Sequence, residues 1–272
     1  MLKAGKISLL HYYDRCFNSF CKNYRKPKLR LSKKIIHQLR VDIKYIRTIY
    51  HLLKALSKEN TISNDKQIIA FDKLFNAAGK VREEQVNLSL LEKYKFASSL
   101  SLFKKYLIRR KRSALRKLHK TLHDFNVTHG RISIEKSKQS EPTDYLTENV
   151  TQTQSFIQKE IKKIKKLYPE FSAKNLHDIR KELKELNYSI IYLTEVLPNH
   201  KYLKLSEKIK SIELLIGSWH NRIMFQGSIE EFLTRDESFP EILMLKELIR
   251  NIKRANKKSI KMIDKKLGKL FG

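Results

Sequence analysis

Glycine and proline are scarce, 7 and 5 residues in a chain of 272. So few turn formers exclude a fold of many short strands and tight hairpins, and favour long helices joined by few loops. Cysteine occurs only at Cys16 and Cys21. Five residues apart on one helix, these thiols do not face each other and match neither a CxxC pair nor a zinc-ligand spacing, so a disulfide framework and a thiolate metal site both drop out. A reducing compartment follows from that usage. No apolar run reaches the roughly 18 residues of a membrane span, and the opening segment MLKAGKISLLHYYDR is too weakly apolar for a secretory leader. A soluble, cytoplasmic protein is expected.

Acidic residues are also short: 28 Asp and Glu stand against 58 Lys and Arg, a formal net charge of +30. Such an excess calls for a polyanionic partner or an anionic surface. The sequence lacks an ExExK carboxylate cluster, a Walker-type glycine loop and an HD metal pair, the usual equipment for cleaving phosphoanhydrides. The expectation is therefore a binding protein with no catalytic residues, no cofactor and no metal.

What the chain does contain is Leu and Ile at helical spacing, within an apolar content of 41%. The pattern predicts helices over about 7–24, 32–56, 64–94 and 97–125, with Ser32 a good N-cap for the second. Residues 126–142 lose the periodicity and hold Gly130 and Pro142, which marks a linker. Helices then recur over about 143–168, 172–197, 201–232 and 240–270. The expected architecture is all-α: two tandem antiparallel four-helix bundles, 1–125 and 143–272, related by internal duplication and a pseudo-twofold axis, with a basic groove or channel.

The evidence for duplication is a formula that occurs twice, HQLRVDIKYI from His37 and HDIRKELKEL from His177. At about 100° per residue the His, Arg and Lys of each copy fall near 0°, −60° and −20°, while the three aliphatics fall near 180° to 240°. Each copy is a helix with one basic stripe and one buried stripe. Stability needs only the buried stripe, so the repeated His and Arg point to a function. On the first copy the stripe extends through Arg30, Lys33, His37, Arg40, Lys44, Arg47 and His51 without an intervening Glu, over roughly 30 Å. An ordinary solvated face intersperses acids for i±4 pairing; aligned cations repel one another unless an anion binds.

The fourth helix of each half carries a similar ridge: Lys105, Arg109, Arg112, Arg116 and Lys120 in one, Lys246, Arg250, Lys253, Lys257 and Lys261 in the other. Four such ridges are expected to line the groove. The third helices match at Gly79 and Gly217, each followed three residues on by a cationic or imidazole side chain, Arg82 and His220. A helical Gly costs about 1 kcal/mol relative to Ala, so its reuse signals close approach of a neighbouring helix or of ligand. Asp42 and Glu182, the acids of the formula, lie off the ridge and are expected to form inter-helix ion pairs.

These residues resemble the CHAD family, the conserved-histidine α-helical domain that binds inorganic polyphosphate. HQLRVDIKYIR is similar to the family's signature of His, Arg three residues on and a basic cluster. LHDIRKELKELNY followed by VLP resembles its second repeat, and AGKVREE and LIGSWHN resemble its Gly-x-x-Arg/His-Asp elements. The resemblance runs from about residue 10 to 265 and implies one CHAD-like unit. It implies anion contacts at His37, Arg40, Lys44, Arg47, Arg82, His177, Arg180, Lys184 and His220, with Arg30, Lys33, Arg109, Arg112, Arg116, Arg250, Lys253 and Lys257 added by the ridges. Tyr45, Glu185 and Asn187 stand where the family often has Arg, which weakens the second stripe.

Inorganic polyphosphate carries about one charge per phosphate and nothing else to read, so a cation array suffices; Arg forks onto phosphate oxygens and Lys adds a mobile charge. Binding is expected to strengthen as pH falls through about 6.5, where histidines gain protons. Association with polyphosphate granules would follow. The alternative is nonspecific binding of RNA or nucleoid, since phosphate contacts dominate there too, although no aromatic recognition module is present. A structural adaptor is a third option.

Overall fold

The computed structural model describes residues 9–25, 31–56, 65–94, 97–127, 142–168, 172, 175–196, 200–235 and 240–272. Among these residues there is no strand. Eight helices follow in order: α1 (Leu9–Arg25), α2 (Lys33–Leu56), α3 (Asp65–Leu91), α4 (Ser101–Asp124), α5 (Pro142–Leu167), α6 (Leu176–Val196), α7 (His200–Leu233) and α8 (Ile242–Phe271). A 3₁₀ turn at Ala97–Ser99 leads into α4. Residues 128–141 of the expected linker, and Arg30, lie outside the described residues.

Local chemistry accounts for several boundaries. Ser32 accepts the Ile35 N–H at its Oγ (3.3 Å) and the Ile36 N–H at its carbonyl (3.1 Å), which opens α2 as an N-cap does. Pro142 occupies the first position of α5, where its missing N–H costs nothing. The start of α4 is closed from far away: the Glu241 carboxylate accepts the N–H groups of Leu102 (2.7 Å) and Phe103 (3.0 Å). A carboxylate there also complements the positive end of the helix dipole.

Three apolar clusters hold the helices. In the first, α1 to α4 pack Tyr13, Phe20, Ile43, Phe71 and Leu118 together, and Tyr192 of α6 joins them. The second unites α5 to α8 around Ile164, Leu183, Ile216 and Ile263. The third draws on both halves of the sequence, with Leu91, Phe103 and Leu107 against Phe225, Ile229, Phe232 and Leu248. Each buried Phe or Leu contributes about 1.5–3 kcal/mol, so this shared core adds a strong link between the halves. Polar contacts reinforce it: buried Asn87 donates to Ser228 Oγ (3.0 Å), and Arg110 of α4 binds Glu84 of α3 (2.7 Å) and Glu231 of α7.

Candidate anion-binding site

The two formula-bearing helices each lie antiparallel to the helix that follows. On α2 and α3, Lys33 donates to Ser89 Oγ (3.1 Å), Arg40 to the Phe75 carbonyl (2.7 Å), and Arg47 Nε meets Asp72 at 3.1 Å. On α6 and α7, Asn187 donates to Glu213 (3.4 Å), and the His177 and His220 rings lie 5.7 Å apart. Helices α2 and α6 run beside each other, their Tyr45 and Tyr188 rings at 4.6 Å. The aliphatic stripes are sealed, with Leu39, Ile43, Ile46, Ile179, Leu183 and Leu186 all at 0% exposure. What remains half-buried between the helices is the middle of the basic stripe, Arg40, Lys44 and Arg47 on α2 and Arg180 and Lys184 on α6, while Lys33, His37 and His177 are exposed.

Arg40, Lys44, Arg180 and Lys184 thus come from both copies of the formula into one field. Burial, then repulsion from Arg180, Arg82 and Arg47, pushes Arg40 down to about 10. Burial, then Arg40 and Arg180, brings Lys44 down to about 8. Lys184 falls to about 7 through burial, then Lys44 and Arg180. Burial lowers Arg180 as well. On the rim, burial and then Arg82, Lys44 and Arg40 lower His37, while burial and then Arg180 bring His220 to about 4. These converging cations are held together at an electrostatic cost.

One carboxylate sits among them. Glu213 is pushed up to about 7 by burial, against the pull of Lys184, Lys44 and Arg180 and the hydrogen bond from Asn187. Its Oε1 is buried without a hydrogen-bond partner, as are Arg82 Nη1, Arg180 Nε and Trp219 Nε1. Leaving a buried polar group unsatisfied costs about 1–3 kcal/mol, more if charged, so the orphaned donors of Arg82 and Arg180 suit an incoming anionic oxygen.

A family model for the CHAD domain matches residues 11–229. The chain belongs to the CHAD family. The crystal structure of the CHAD domain from the plant Ricinus communis shares its fold, with a TM-score of 0.66 and 12% identity over 94% of this chain and 89% of that one. No curated protein matches the chain.

Within this CHAD chain the predicted site residues separate into two groups. His37, Arg40, Lys44, Arg47, Arg82, His177, Arg180, Lys184 and His220 line the α2, α3, α6 and α7 faces just described, with Lys33 at the outer end beside a cleft of about 450 Å³ against α3 and α4. Arg109, Arg112 and Arg116 on α4, and Arg250, Lys253 and Lys257 on α8, are all exposed. The expected groove lined by four ridges therefore reduces to two facing stripes. The apolar sides of α4 and α8 are spent on α3 and α7, so their basic sides must turn to water.

Two further expectations need correction. The α2 stripe contains no acid of its own, yet Arg47 finds one in Asp72 of α3. Among the described residues Asp42 forms no inter-helix ion pair but accepts from the neutral donors Ser19 (3.3 Å), Asn23 (2.7 Å) and Gln38 (3.0 Å), because α1 presents amide and hydroxyl groups there. Glu182 does face a cation, Lys163, at 3.9 Å. Oxygens of Glu160, Glu182 and Glu185 lie within 4.8 Å of one another, and Lys163 Nζ bonds Glu160 at 2.6 Å. The positions without the expected Arg have other duties: Tyr45 packs on Tyr188, and Asn187 holds Glu213 while accepting from Ser206 (2.8 Å).

Sequence reasoning missed Phe75, whose ring centroid lies 3.9 Å from the Arg40 guanidinium, 5.4 Å from that of Arg47 and 6.0 Å from Lys44 Nζ. One aromatic face thus steadies three cations. It also left open the purpose of the paired glycines. A Cβ at Gly79 would stand 2.5 Å from Arg40 Nη1, whereas one at Gly217 would stand 3.8 Å from Arg180 Nη2. Both glycines face the Arg of their formula, and only the first is obligatory. Gly79→Ala is expected to lower the melting temperature by displacing a guanidinium pinned to Phe75. Gly217→Ala is expected to raise it by about 2–4 °C through the roughly 1 kcal/mol helix preference for Ala. Thermal denaturation of the two variants side by side checks the contrast; equal losses would contradict it.

Proposed function

We propose that this CHAD protein binds inorganic polyphosphate, without turning it over, between α2 and α6 and along α3 and α7. The observation that carries the reading is the convergence of Arg40, Lys44, Arg180 and Lys184 from both copies of the formula, with Arg82 Nη1 and Arg180 Nε left without acceptors. A chain of phosphates supplies repeated anionic oxygens at this place, and it asks for no base-reading surface. The arginines form charge-assisted contacts, the lysines recover their protons, and His37, His177 and His220 extend the path. Most aromatic side chains are buried in the three cores rather than offered for base stacking, which disfavours RNA as the preferred partner. A cytoplasmic location at polyphosphate granules belongs to the same reading.

Direct competition between long-chain polyphosphate and single-stranded RNA at physiological salt tests it. Polyphosphate is expected to displace RNA at matched phosphate concentration, and the reverse order would replace the reading by the RNA alternative. Incubation with Mg²⁺ or Mn²⁺ should leave polymer length unchanged. Measurable shortening would make the protein an enzyme.

A further inference from the structure

The outward face of α8 carries a second array of cations that the central site does not use. Arg222 of α7 donates to Asn256 (2.8 Å) and to Ser259, so this side of α8 faces α7. Arg250, Arg254, Lys257, Lys258, Lys261 and Lys265 then fall within an arc of about 100° on the opposite side, over roughly 22 Å. All six are exposed. None takes part in an ion pair or hydrogen bond among the described residues.

The face is not simply what a Lys-rich chain leaves in water. Where this molecule has an acid in reach it pairs its surface cations, as Lys80 does with Glu83 and Arg235 with Glu231. On the α8 arc the one acid is Glu247, and nearby Asp264 is engaged by the Tyr168 hydroxyl at 3.1 Å. The cations therefore repel one another with no internal relief, and a bound polyanion would provide it.

Position gives this face its role. On α7, Arg222 points to α8, while Gly217 and His220 lie on the other side against α6. Helix α7 thus stands between the two cation fields, separating them by roughly 20 Å for packed helices. We propose that the outward face of α8 is a second polyphosphate-docking surface, independent of the central site, so that a single molecule bridges two polymer strands or two stretches of one. This rests on the polyphosphate reading above. Its consequence is that the protein condenses polymer rather than merely coating it, because bridging needs two separated sites on one rigid body.

The test compares binding with bridging in the full-length protein. Anisotropy of end-labelled long-chain polyphosphate reports binding, and light scattering across a protein-to-phosphate titration reports bridging. The variant R254Q/K257Q/K258Q/K261Q is expected to bind labelled polymer within about threefold of wild type, since the central site is intact, while its peak scattering falls at least about fivefold. An equal-charge control, K162Q/K204Q/K208Q/K210Q, removes exposed lysines from α5 and α7 and is expected to scatter as wild type does. Undiminished scattering from the α8 variant, or an equal loss in the control, overturns the bridging surface and leaves the central reading standing. A tenfold or greater loss of binding in the α8 variant overturns it differently, by making this face the principal site. If wild type fails to bind labelled polymer at all, the failure belongs to the polyphosphate reading.

Discussion

Replacing Lys44 and Lys184 together by methionine is expected to weaken polyphosphate binding on the order of 100-fold while raising the melting temperature of the ligand-free protein. The loss follows from removing two charge-assisted contacts, each contributing about 1.5–3 kcal/mol to a buried anion. The gain follows from the same burial. Both ammonium groups are held well below their usual value, Lys44 at about 8 and Lys184 at about 7, by desolvation and by Arg40 and Arg180. Unbranched apolar side chains of similar length relieve that cost, as replacement of buried charges by hydrophobic isosteres often does. Arg180 stays near Glu213, so its carboxylate is not abandoned. About 1 kcal/mol of relief corresponds to a rise of about 2–4 °C in a chain of this size. Isothermal titration and thermal melting on one preparation measure both arms. A fall of several degrees with unchanged affinity would mean that the lysines serve the fold and not a ligand.

Affinity for polyphosphate is expected to fall by about two to three orders of magnitude as pH rises from 6 to 9, with protons taken up on binding across that range. In the free protein Lys184 and Lys44 lose their protons near 7 and 8, and a polyanion draws both back toward their ordinary range. This places the transition above the imidazole window expected from sequence. His220, at about 4, and His37, also lowered, are neutral in the free protein at pH 7 and add their share only under acid.

The stability of the free protein has the complementary profile. The depressed lysines contribute stability present above their unfolded value of 10.5 and lost as pH falls through about 8 and 7. Glu213, raised, contributes stability that is full below its unfolded value of 4.5 and lost as pH rises through about 7. Their sum is therefore smallest near neutrality, whereas the rise in melting temperature that polyphosphate brings follows its affinity and should grow as pH falls from 9 to 6. Titrations in buffers of different ionisation enthalpy at pH 6, 7, 8 and 9 count the protons. A flat affinity profile with no uptake would remove Lys44 and Lys184 from the binding surface.

Much of the fold was legible because its determinants are local. Aliphatic spacing in Ile36, Leu39, Ile43 and Ile46 places one buried side on α2, and Ser32 starts that helix through its own hydroxyl. The repeated His, Arg and Lys marked the right stripe because side chains three, four and seven apart share a helix face whatever lies opposite. Neither the capping of α4 by Glu241 nor the placement of Glu213 among three cations left a local trace, since each joins residues from distant parts of the chain. Phe75 reads in sequence as one more apolar residue, and its contact with Arg40 depends on how α3 crosses α2.

From the chain's own periodicity came the helices, their two-sidedness and the identity of the basic stripes, because rotation per residue about a helix axis is a property of the backbone. Tertiary packing decided which stripes meet: the middles of those of α2 and α6 are half-buried against each other, while those of α4 and α8 face solvent. The same residue types consequently differ in chemistry. Lys184 is driven to about 7 by desolvation and surrounding charge, forces that act between helices and not along one.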